Sequence, residues 1–269
     1  MNWTIEQLFQ QKQERQQLIE AIDYCGSYAL KKQEDTVRSY KPDGTVLTEI
    51  DLYINSYLRD TVKRLYPQWG IISEETEAAH RKDCPGYFVI DPIDGTDIYS
   101  QGMPSWCIAV GILDAELNPV GGIIHAPRWG IGTPRGLFLT RFPGEGVFNH
   151  GEQVEPKSFS PPVKQIVACS NSYKNLDFRK FNGKVRTFGS NIIHIISPAV
   201  HSHIDACIFS PCYIWDVAAG HAVVQALGMD IFYQDGSPLD YPELSRRGKT
   251  EQTAYVGTPS MIESLKNCL

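Results

Sequence analysis

The stretch Asp91-Pro92-Ile93-Asp94-Gly95-Thr96 is the most informative part of this sequence. It follows the apolar run Tyr87-Phe88-Val89-Ile90, which predicts a short buried strand ending at Asp91-Pro92. Carboxylates at the carboxyl end of a strand lie where open α/β sheets bind ligands. A tight turn here would direct both carboxylates and the Ile93 carbonyl toward one point, and such hard oxygen ligands suit Mg²⁺. A helix beginning near Gly95 would add N–H groups for a phosphate. The alternative is an ordinary acidic turn.

Three further acidic segments have the same character. Each stands at the end of a predicted strand or at the start of a predicted helix: Ser73-Glu74-Glu75 after Ile71-Ile72, Trp215 to Gly220 at the start of a helix predicted to Leu227, and Thr48 to Asp51 before a helix predicted from about Leu52 to Tyr66. A charge such as Asp216 at the start of an apolar helix is costly unless it is capped, paired or metal-bound. Taken singly, the segments also fit a solvated loop, an N-cap and a capping box.

Composition limits the classes of protein that fit. The 269 residues carry a net charge of −6, so no positive footprint for nucleic acid is expected. The longest apolar stretches, such as Trp106 to Leu113, are too short to cross a bilayer. Met1 to Glu20 lacks the apolar core of a signal peptide and predicts an amphipathic helix. The seven cysteines include no Cys-x-x-Cys pair, which favours reduced thiols and a cytoplasmic location.

The order of predicted strands and helices suggests two lobes. Trp106 to Leu113 and Val120 to His125 predict a hairpin joined through Asn118-Pro119. After the proline-rich stretch Ser158 to Pro162, strands alternate with helices, the strands being predicted at 166–169, 185–188, 205–209 and 254–257. We therefore expect an N-terminal α+β lobe over 1–158 and a C-terminal α/β lobe over 159–269 that together form one catalytic unit.

The order and spacing of the four acidic motifs resemble the inositol monophosphatase family of metal-dependent, lithium-sensitive phosphatases. The family's Asp-Pro-Ile/Leu-Asp-Gly-Thr motif is met letter for letter at Asp91 to Thr96. Its other motifs are met in the same order by Thr48 to Asp51, Glu74-Glu75 and Trp215 to Gly220, with Lys41 as the basic residue ahead of them. The resemblance runs from about Lys41 to Asp240. It implies an α/β (α+β) fold, namely a layered αβαβα sandwich, and commonly a homodimer.

The resemblance also implies roles for individual residues. The first Mg²⁺ would be held by Glu74, Asp91 and the Ile93 carbonyl, the second by Asp91, Asp94 and Asp216, and a weaker third by Glu74, possibly with Asp51. Catalysis would depend on Glu74 and Thr96, which orient and deprotonate the attacking water, with Asp51 beside them. The phosphate and the rest of the substrate would contact Asp94, Gly95, Thr96, Gly189, Ser190, Asn191 and Lys41.

Several positions depart from the family pattern. Phe209 stands where members acting on inositol phosphates commonly carry an acidic residue, Asp97-Ile98-Tyr99 follows Gly-Thr, and Asn191 stands where a small residue is usual. The complete set of carboxylates, together with the resemblance, implies a phosphomonoesterase whose default substrate is a small polyol or sugar phosphate of the inositol-phosphate type. The alternatives are a 3′(2′),5′-bisphosphate nucleotidase, a histidinol-phosphatase, a fructose-bisphosphatase, or an inactive metal- or phosphate-binding relative. His201-x-His203 lacks an evident third metal ligand, so the histidines here, including His194, are expected to be packing or surface residues.

Overall fold

The structure is a computed structural model that describes residues 5, 9, 12–76, 83–130, 135–158, 162–209, 212–250 and 252–266. The helix predicted over Met1 to Glu20 lies partly outside these ranges, and helix α1 runs from Lys12 to Lys32. Among the described helices, none combines the length and the apolar character needed to traverse a bilayer. Buried free thiols are found at Cys25, Cys107, Cys207 and Cys212, while Cys268 lies outside the described residues.

A hairpin and a second helix follow α1. A 3₁₀ helix over Gln33–Asp35 leads to β1 (Arg38–Tyr40) and β2 (Val46–Thr48), which pair in antiparallel fashion. Helix α2 spans Glu49–Leu65 and so begins three residues before the position predicted from the sequence. The reason is the capping box, in which the Thr48 side chain accepts from the N–H of Asp51 while the Asp51 carboxylate accepts from the N–H of Thr48.

A seven-stranded sheet carries most of the N-terminal half. Its strands, in spatial order, are β3 (Gly70–Ser73), β4 (Gly86–Asp94), β5 (Cys107–Asp114), β6 (Pro119–Ala126), β7 (Leu137–Arg141), β8 (Phe148–Asn149) and β9 (Glu152–Gln153), and the short helix α3 (Thr96–Ser100) follows β4. Among these described strands, β3 and β4 alone pair in parallel. The predicted β5–β6 hairpin is present, but its turn lies earlier than Asn118-Pro119. The Asp114 N–H donates to the Asn118 carbonyl at 3.0 Å, and Leu117 takes the left-handed conformation that closes the turn.

A five-stranded sheet carries the C-terminal half. Its spatial order is β11 (Lys184–Arg186), β10 (Gln165–Ala168), β12 (Ala206–Phe209), β14 (Ala254–Gly257) and β13 (Asp230–Tyr233). The intervening helices are α4 (Ser172–Asn175), α5 (Asn191–Val200), α6 (Ile214–Ala226), α7 (Tyr241–Arg247) and α8 (Pro259–Lys266), with a 3₁₀ helix at Phe178–Lys180. The four predicted strands are all present, and β13 is an additional one that the sequence analysis did not predict.

The helices and sheets stack in five layers. Helices α1 and α2 pack on one face of the seven-stranded sheet, α5 and α6 lie between the two sheets, and α8 packs on the far face of the five-stranded sheet. This αβαβα arrangement confirms the predicted fold class. The boundary between lobes near residue 158 stays a prediction, since the central apolar cluster draws side chains from both sheets.

Helix α6 lies unusually close to the seven-stranded sheet. A Cβ atom built on Gly122 of β6 would lie 2.5 Å from the Ala219 carbonyl oxygen, and one on Gly111 of β5 would lie 2.7 Å from the Ala218 Cβ. Arg141 of β7 adds a hydrogen bond of 2.6 Å to the Ala222 carbonyl of the same helix. Because these contacts fix the position of α6 against the sheet, they also fix the position of Asp216 in its first turn.

Candidate metal centre and active site

Three aspartates from two elements converge between the sheets. One carboxylate oxygen from each of Asp91, Asp94 and Asp216 lies within 4.8 Å of the others. Asp91 and Asp94 are buried at the end of β4, and Asp216 is half-buried in the first turn of α6. Asp91 and Asp216 are 125 positions apart along the chain. The structure brings them together because helix α6 packs across strand β4, which carries Asp91 and Asp94.

Strand β4 presents both of its aspartates to the same site through an irregularity. The strand continues to Asp94, so the prediction that it ends at Asp91-Pro92 is wrong. On a regular strand, residues three apart face opposite sides of the sheet. Here the pairing with β5 shifts register between Asp91, which lies opposite Ala109, and Asp94, which lies opposite Cys107. This bulge-type shift turns the two carboxylates to one side.

Asp94 is held by the N-terminal end of helix α5. Its carboxylate accepts from the Ile192 N–H at 2.6 Å, from the Asn191 N–H at 3.1 Å, and from the Ser190 hydroxyl. Burial raises the pKa of Asp94 to about 6, and these three donors limit the rise. A helix N-terminus stabilises a carboxylate through its free N–H groups and its dipole. The predicted substrate-side residues Ser190 and Asn191 therefore contact a predicted metal ligand directly.

Asp216 is the third residue of α6 and not a simple N-cap. Its carboxylate accepts from the backbone N–H of Tyr213 at 2.6 Å. Burial, followed by the charge of Asp94, raises the pKa of Asp216 to about 7. The Tyr213 N–H holds the carboxylate in place beside two other acids that repel it.

Asp91 provides the test of whether a cation fits. Its Oδ1 atom is buried and has no hydrogen-bond partner among the described residues. Burial and then the charges of Glu74, Asp94 and Asp216 raise the pKa of Asp91 well above its ordinary value. A buried carboxylate oxygen without a donor is costly, and a set of converging carboxylates is the donor set that hard divalent cations prefer. The residues present therefore fit a magnesium-type ion.

The adjoining acids Glu74 and Glu75 are paired with Lys41. The Lys41 ammonium lies 2.7 Å from Glu74 Oε1 and 2.6 Å from Glu75 Oε1. Burial alone would lower the pKa of Lys41, but the two carboxylates outweigh it and the pKa is raised. Burial raises the pKa of Glu74 to about 7 although Lys41 opposes the rise. Glu74 follows β3 as predicted, and its charge raises the pKa of Asp91, but among the described residues it is not one of the three carboxylates that lie within 4.8 Å of one another.

A polar network that the sequence analysis missed supports the turn after β3. The Ser73 hydroxyl donates to the Asn55 carboxamide, whose amide donates to the Thr76 hydroxyl at 3.1 Å. Arg59, one turn further along α2, donates to the same Thr76 oxygen at 2.9 Å. The turn is therefore tied to α2 on both sides of Glu74 and Glu75. In the sequence, this network could have been recognised from Asn55 and Arg59, two polar residues at positions i and i+4 on an otherwise apolar face of helix α2.

Asp51 and Thr96 form a second polar contact at the site. Asp51 is fully buried, and the Thr96 hydroxyl lies 2.9 Å from its Oδ1 and 2.9 Å from the Ile93 carbonyl oxygen. Since the hydroxyl has one hydrogen, it donates to one of these oxygens at a time. Burial raises the pKa of Asp51 to about 6, against the hydrogen bonds from Thr48 and Thr96. The Asp51 carboxylate thus both caps helix α2 and contacts Thr96 at the site.

The Gly189-Ser190 turn packs directly against the Gly95 turn. A Cβ on Gly95, whose φ is +92°, would lie 3.3 Å from the Ser190 Cβ, and one on Gly189 would lie 2.3 Å from Ile98 Cγ1. His194 shapes this turn, because its Nε2 accepts from the N–H of Phe188 at 2.8 Å and of Gly189 at 3.2 Å. Burial lowers the pKa of His194 to about 4, so the ring is a neutral acceptor. His194 is a packing residue, as predicted, that also shapes the site.

The residues that depart from the family pattern have clear surroundings. Phe209 is fully buried within β12 and contributes to the apolar core. Asp97 is charge-paired with Arg38, which also donates to its carbonyl at 3.2 Å. Next to Asp216, the half-buried rings of Tyr213 and Trp215 stack with centroids 4.7 Å apart and planes 8° from parallel.

Comparisons with known proteins agree on one family. The sequence model of the inositol monophosphatase family matches residues 9–267. The chain is 26% identical over 238 residues to the 3′(2′),5′-bisphosphate nucleotidase CysQ of Buchnera aphidicola, covering 86% of this chain and 87% of that protein. It is 26% identical over 230 residues to the inositol-1-monophosphatase of Synechocystis sp., covering 82% and 80%.

The fold is likewise similar to solved structures. Extragenic suppressor protein suhB from Bartonella henselae superimposes with a TM-score of 0.78 at 17% sequence identity, over 94% of this chain and 97% of that one. At this identity the likeness concerns the fold alone.

Proposed function

This chain belongs to the inositol monophosphatase family, and from that premise we propose that it is a Mg²⁺-dependent phosphomonoesterase acting on a small polyol or sugar phosphate. The observation that carries the proposal is the convergence of Asp91, Asp94 and Asp216 within 4.8 Å, with a buried Asp91 oxygen that lacks a donor among the described residues. Keeping such a group costs stability, and a bound cation offsets that cost. The cluster therefore supports a working metal centre.

The chain's own oxygens divide into two overlapping sets of metal ligands. We assign Glu74, Asp91 and the Ile93 carbonyl to one ion and Asp91, Asp94 and Asp216 to a second. A weaker third ion would use Glu74, with Asp51 nearby. When bound, Mg²⁺ supplies the positive charge that screens a phosphate dianion and makes a neighbouring water acidic enough to attack phosphorus.

Proton transfer is assigned to Glu74, Thr96 and Asp51. When Thr96 donates its hydroxyl hydrogen to Asp51, the lone pairs of the hydroxyl oxygen are left to accept a hydrogen bond from water. Glu74 would accept the proton that the water loses. Gly95 and Thr96 would donate N–H groups to the phosphate, and Lys41 would hold Glu74 and Glu75 at the rim.

A phosphate-release assay tests this assignment. Purified protein should hydrolyse at least one of inositol 1-phosphate, 3′-phosphoadenosine 5′-phosphate, histidinol phosphate and fructose 1,6-bisphosphate with MgCl₂, and none of them with EDTA. Asp94→Asn should abolish the release, whereas Asp177→Asn, at a surface carboxylate paired with Arg179, should leave it unchanged. Turnover in EDTA would refute the proposal. Calorimetric Mg²⁺ binding without turnover on this panel would favour the inactive relative instead.

A nucleotide bisphosphate is the second candidate substrate, and two observations favour it. The buried Phe209 cannot accept hydrogen bonds from polyol hydroxyls, while the stacked Tyr213 and Trp215 rings next to Asp216 suit a planar base. Comparing kcat/KM for 3′-phosphoadenosine 5′-phosphate and inositol 1-phosphate separates the candidates. If the base stacks here, Tyr213→Ala should raise KM for the nucleotide alone, by about 5- to 150-fold for ~1–3 kcal/mol of stacking. Tyr173→Ala, at an exposed tyrosine elsewhere, is the control.

Three further properties belong to the proposal through family membership. We expect inhibition by Li⁺, a homodimer in solution and a cytoplasmic location. Titrating LiCl into the phosphate-release assay tests the first, and size-exclusion chromatography with light scattering tests the second. A protein insensitive to Li⁺, or monomeric at micromolar concentration, would remove that property without affecting the metal centre.

A further inference from the structure

The β1–β2 hairpin stands apart from the two larger sheets. Its strands have three residues each and form a separate two-stranded sheet, in which all of β1, Arg38–Tyr40, is exposed. A hairpin of two short strands is marginally stable by itself in water. The connection between its strands nevertheless carries Lys41, whose ammonium lies 2.7 Å from Glu74 Oε1 and 2.6 Å from Glu75 Oε1. The hairpin therefore needs an anchor if Lys41 is to stay with these two carboxylates.

Arg38 supplies that anchor through three acceptors on helix α3. Its guanidinium donates to the carboxylate of Asp97, to the carbonyl of Asp97 at 3.2 Å and to the hydroxyl of Ser100 at 2.8 Å. The other hydroxyl of β1 that forms a described hydrogen bond, that of Ser39, donates within the hairpin to the Leu47 carbonyl. Because the guanidinium presents its donors in a rigid planar fork, contacts to two residues fix both the distance and the direction of β1.

Helix α3 offers a firm base for this contact. Buried Gln33 donates from its Nε2 atom to the carbonyls of Tyr99 at 2.9 Å and Met103 at 2.8 Å, at the end of α3 and just beyond it. The Asp97 carboxylate also accepts from the Nε2 atom of Gln101 at 3.0 Å. A short helix that is tied down in this way can hold a hairpin that is marginally stable alone.

The register of the hairpin links the Arg38 contact to Thr96. Arg38 lies directly opposite Thr48, whose N–H donates to the Asp51 carboxylate at 3.0 Å. Asp51 Oδ1 in turn lies 2.9 Å from the hydroxyl of Thr96, the residue before Asp97. The contacts thus form a closed ring through the hairpin, the start of α2 and the first turn of α3. Removing the guanidinium opens that ring on its β1 side.

We propose that Arg38 is a positioning residue, which anchors the β1–β2 hairpin on helix α3 and so keeps Lys41 paired with the two glutamates. The inference rests on the proposed function, in which Glu74 accepts a proton. Without the anchor, Lys41 leaves the carboxylates for part of the time, and Glu74 loses its fixed orientation. The inference also gives a role to Asp97, which departs from the family pattern, because its carboxylate accepts from Arg38.

The test compares opening of the hairpin with turnover. Arg38→Met removes the donors and keeps an unbranched side chain, Arg38→Lys keeps the charge without the fork, and a double variant with Arg38→Asp and Asp97→Arg exchanges the partners. Hydrogen–deuterium exchange of residues 37–48 is followed by mass spectrometry in metal-free protein without substrate. Phosphate release gives kcat and KM.

Arg38→Met should exchange about 5-fold faster over residues 37–48, the upper end for an exposed ion pair. Its kcat should fall about 10-fold with KM within about threefold of wild type, since a full 1 Å misplacement costs about 100-fold. Arg38→Lys should lie between, and the double variant should recover kcat to within about threefold. Arg179→Met is the matched control, because Arg179 pairs with Asp177 on the exposed surface, and it should behave as wild type in both measurements.

The outcomes separate this inference from its premise. Wild-type exchange in Arg38→Met overturns the anchor. Faster exchange with unchanged kcat overturns the positioning role, and so does a double variant that is no more active than Arg38→Met. If wild type hydrolyses none of the substrates, the proposed function fails and the positioning role with it, whereas faster exchange in Arg38→Met still supports the anchor.

Discussion

Replacing Gly122 by alanine should displace helix α6 and, with it, Asp216. The new Cβ would lie 2.5 Å from the Ala219 carbonyl oxygen and 3.0 Å from its Cα, whereas ordinary contact begins at 3.4 Å. These are backbone atoms, so no side-chain rotation can relieve the overlap, and the helix must shift by about 0.9 Å relative to the sheet. Overpacking of this kind typically costs ~1–3 kcal/mol, and we expect the upper end.

Two measurements follow from that displacement. At about 2–4 °C per kcal/mol for a chain of this size, the melting temperature should fall by about 6–12 °C. A shift of nearly 1 Å at Asp216 should also lower Mg²⁺-dependent phosphate release by about 100-fold at a temperature where the variant is folded. Gly146→Ala is the matched control, because its φ is ordinary and nothing lies within 4 Å of the added Cβ. Unchanged melting and turnover in Gly122→Ala would refute the view that this contact positions Asp216.

Two further predictions concern charge in the core. The buried imidazole of His194 has its pKa lowered from 6.5 to about 4, so the unfolded chain takes up the proton first. The stability that the neutral His194 ring contributes is complete above pH 6.5. About 3 kcal/mol of it is lost as the pH falls from 6.5 to 4. His194→Gln keeps an acceptor that does not titrate, so urea unfolding should show less loss in that range, and an identical pH dependence would contradict the reasoning. Asp91→Asn removes a buried charge that has no donor among the described residues. At pH 8 in EDTA this variant should therefore be more stable than wild type by ~1–3 kcal/mol and unfold at a higher temperature. Adding Mg²⁺ should not raise its melting temperature further. A lower melting temperature in EDTA would argue that this carboxylate is not a burden in the metal-free fold.

The strands and long helices were predictable because each depends on a local pattern. The apolar run Tyr87 to Ile90 predicted β4, and the nearly all-apolar stretch after Asp216 predicted α6 as a buried helix. The capping box at Thr48 to Asp51 was recognisable in the sequence. The start of α2 was nevertheless predicted three residues too late. The end of β4 was missed because the shift between Asp91 and Asp94 depends on pairing with β5, which no local pattern records.

The sequence by itself determined the family, the layered fold class and the set of acidic residues worth examining. It did so because motif order, turn residues and apolar periodicity are properties of neighbouring letters. Only the tertiary structure decided which of those acids share a site, that the N-terminus of α5 holds Asp94, and that Phe209 lies in the core. These facts depend on how closely helix α6 approaches the sheet and on where the α5 N-terminus is directed. Packing between residues that are distant in sequence determines the position of α6 and the direction of the α5 N-terminus. Such contacts exist only in the folded chain, so local sequence patterns do not predict them.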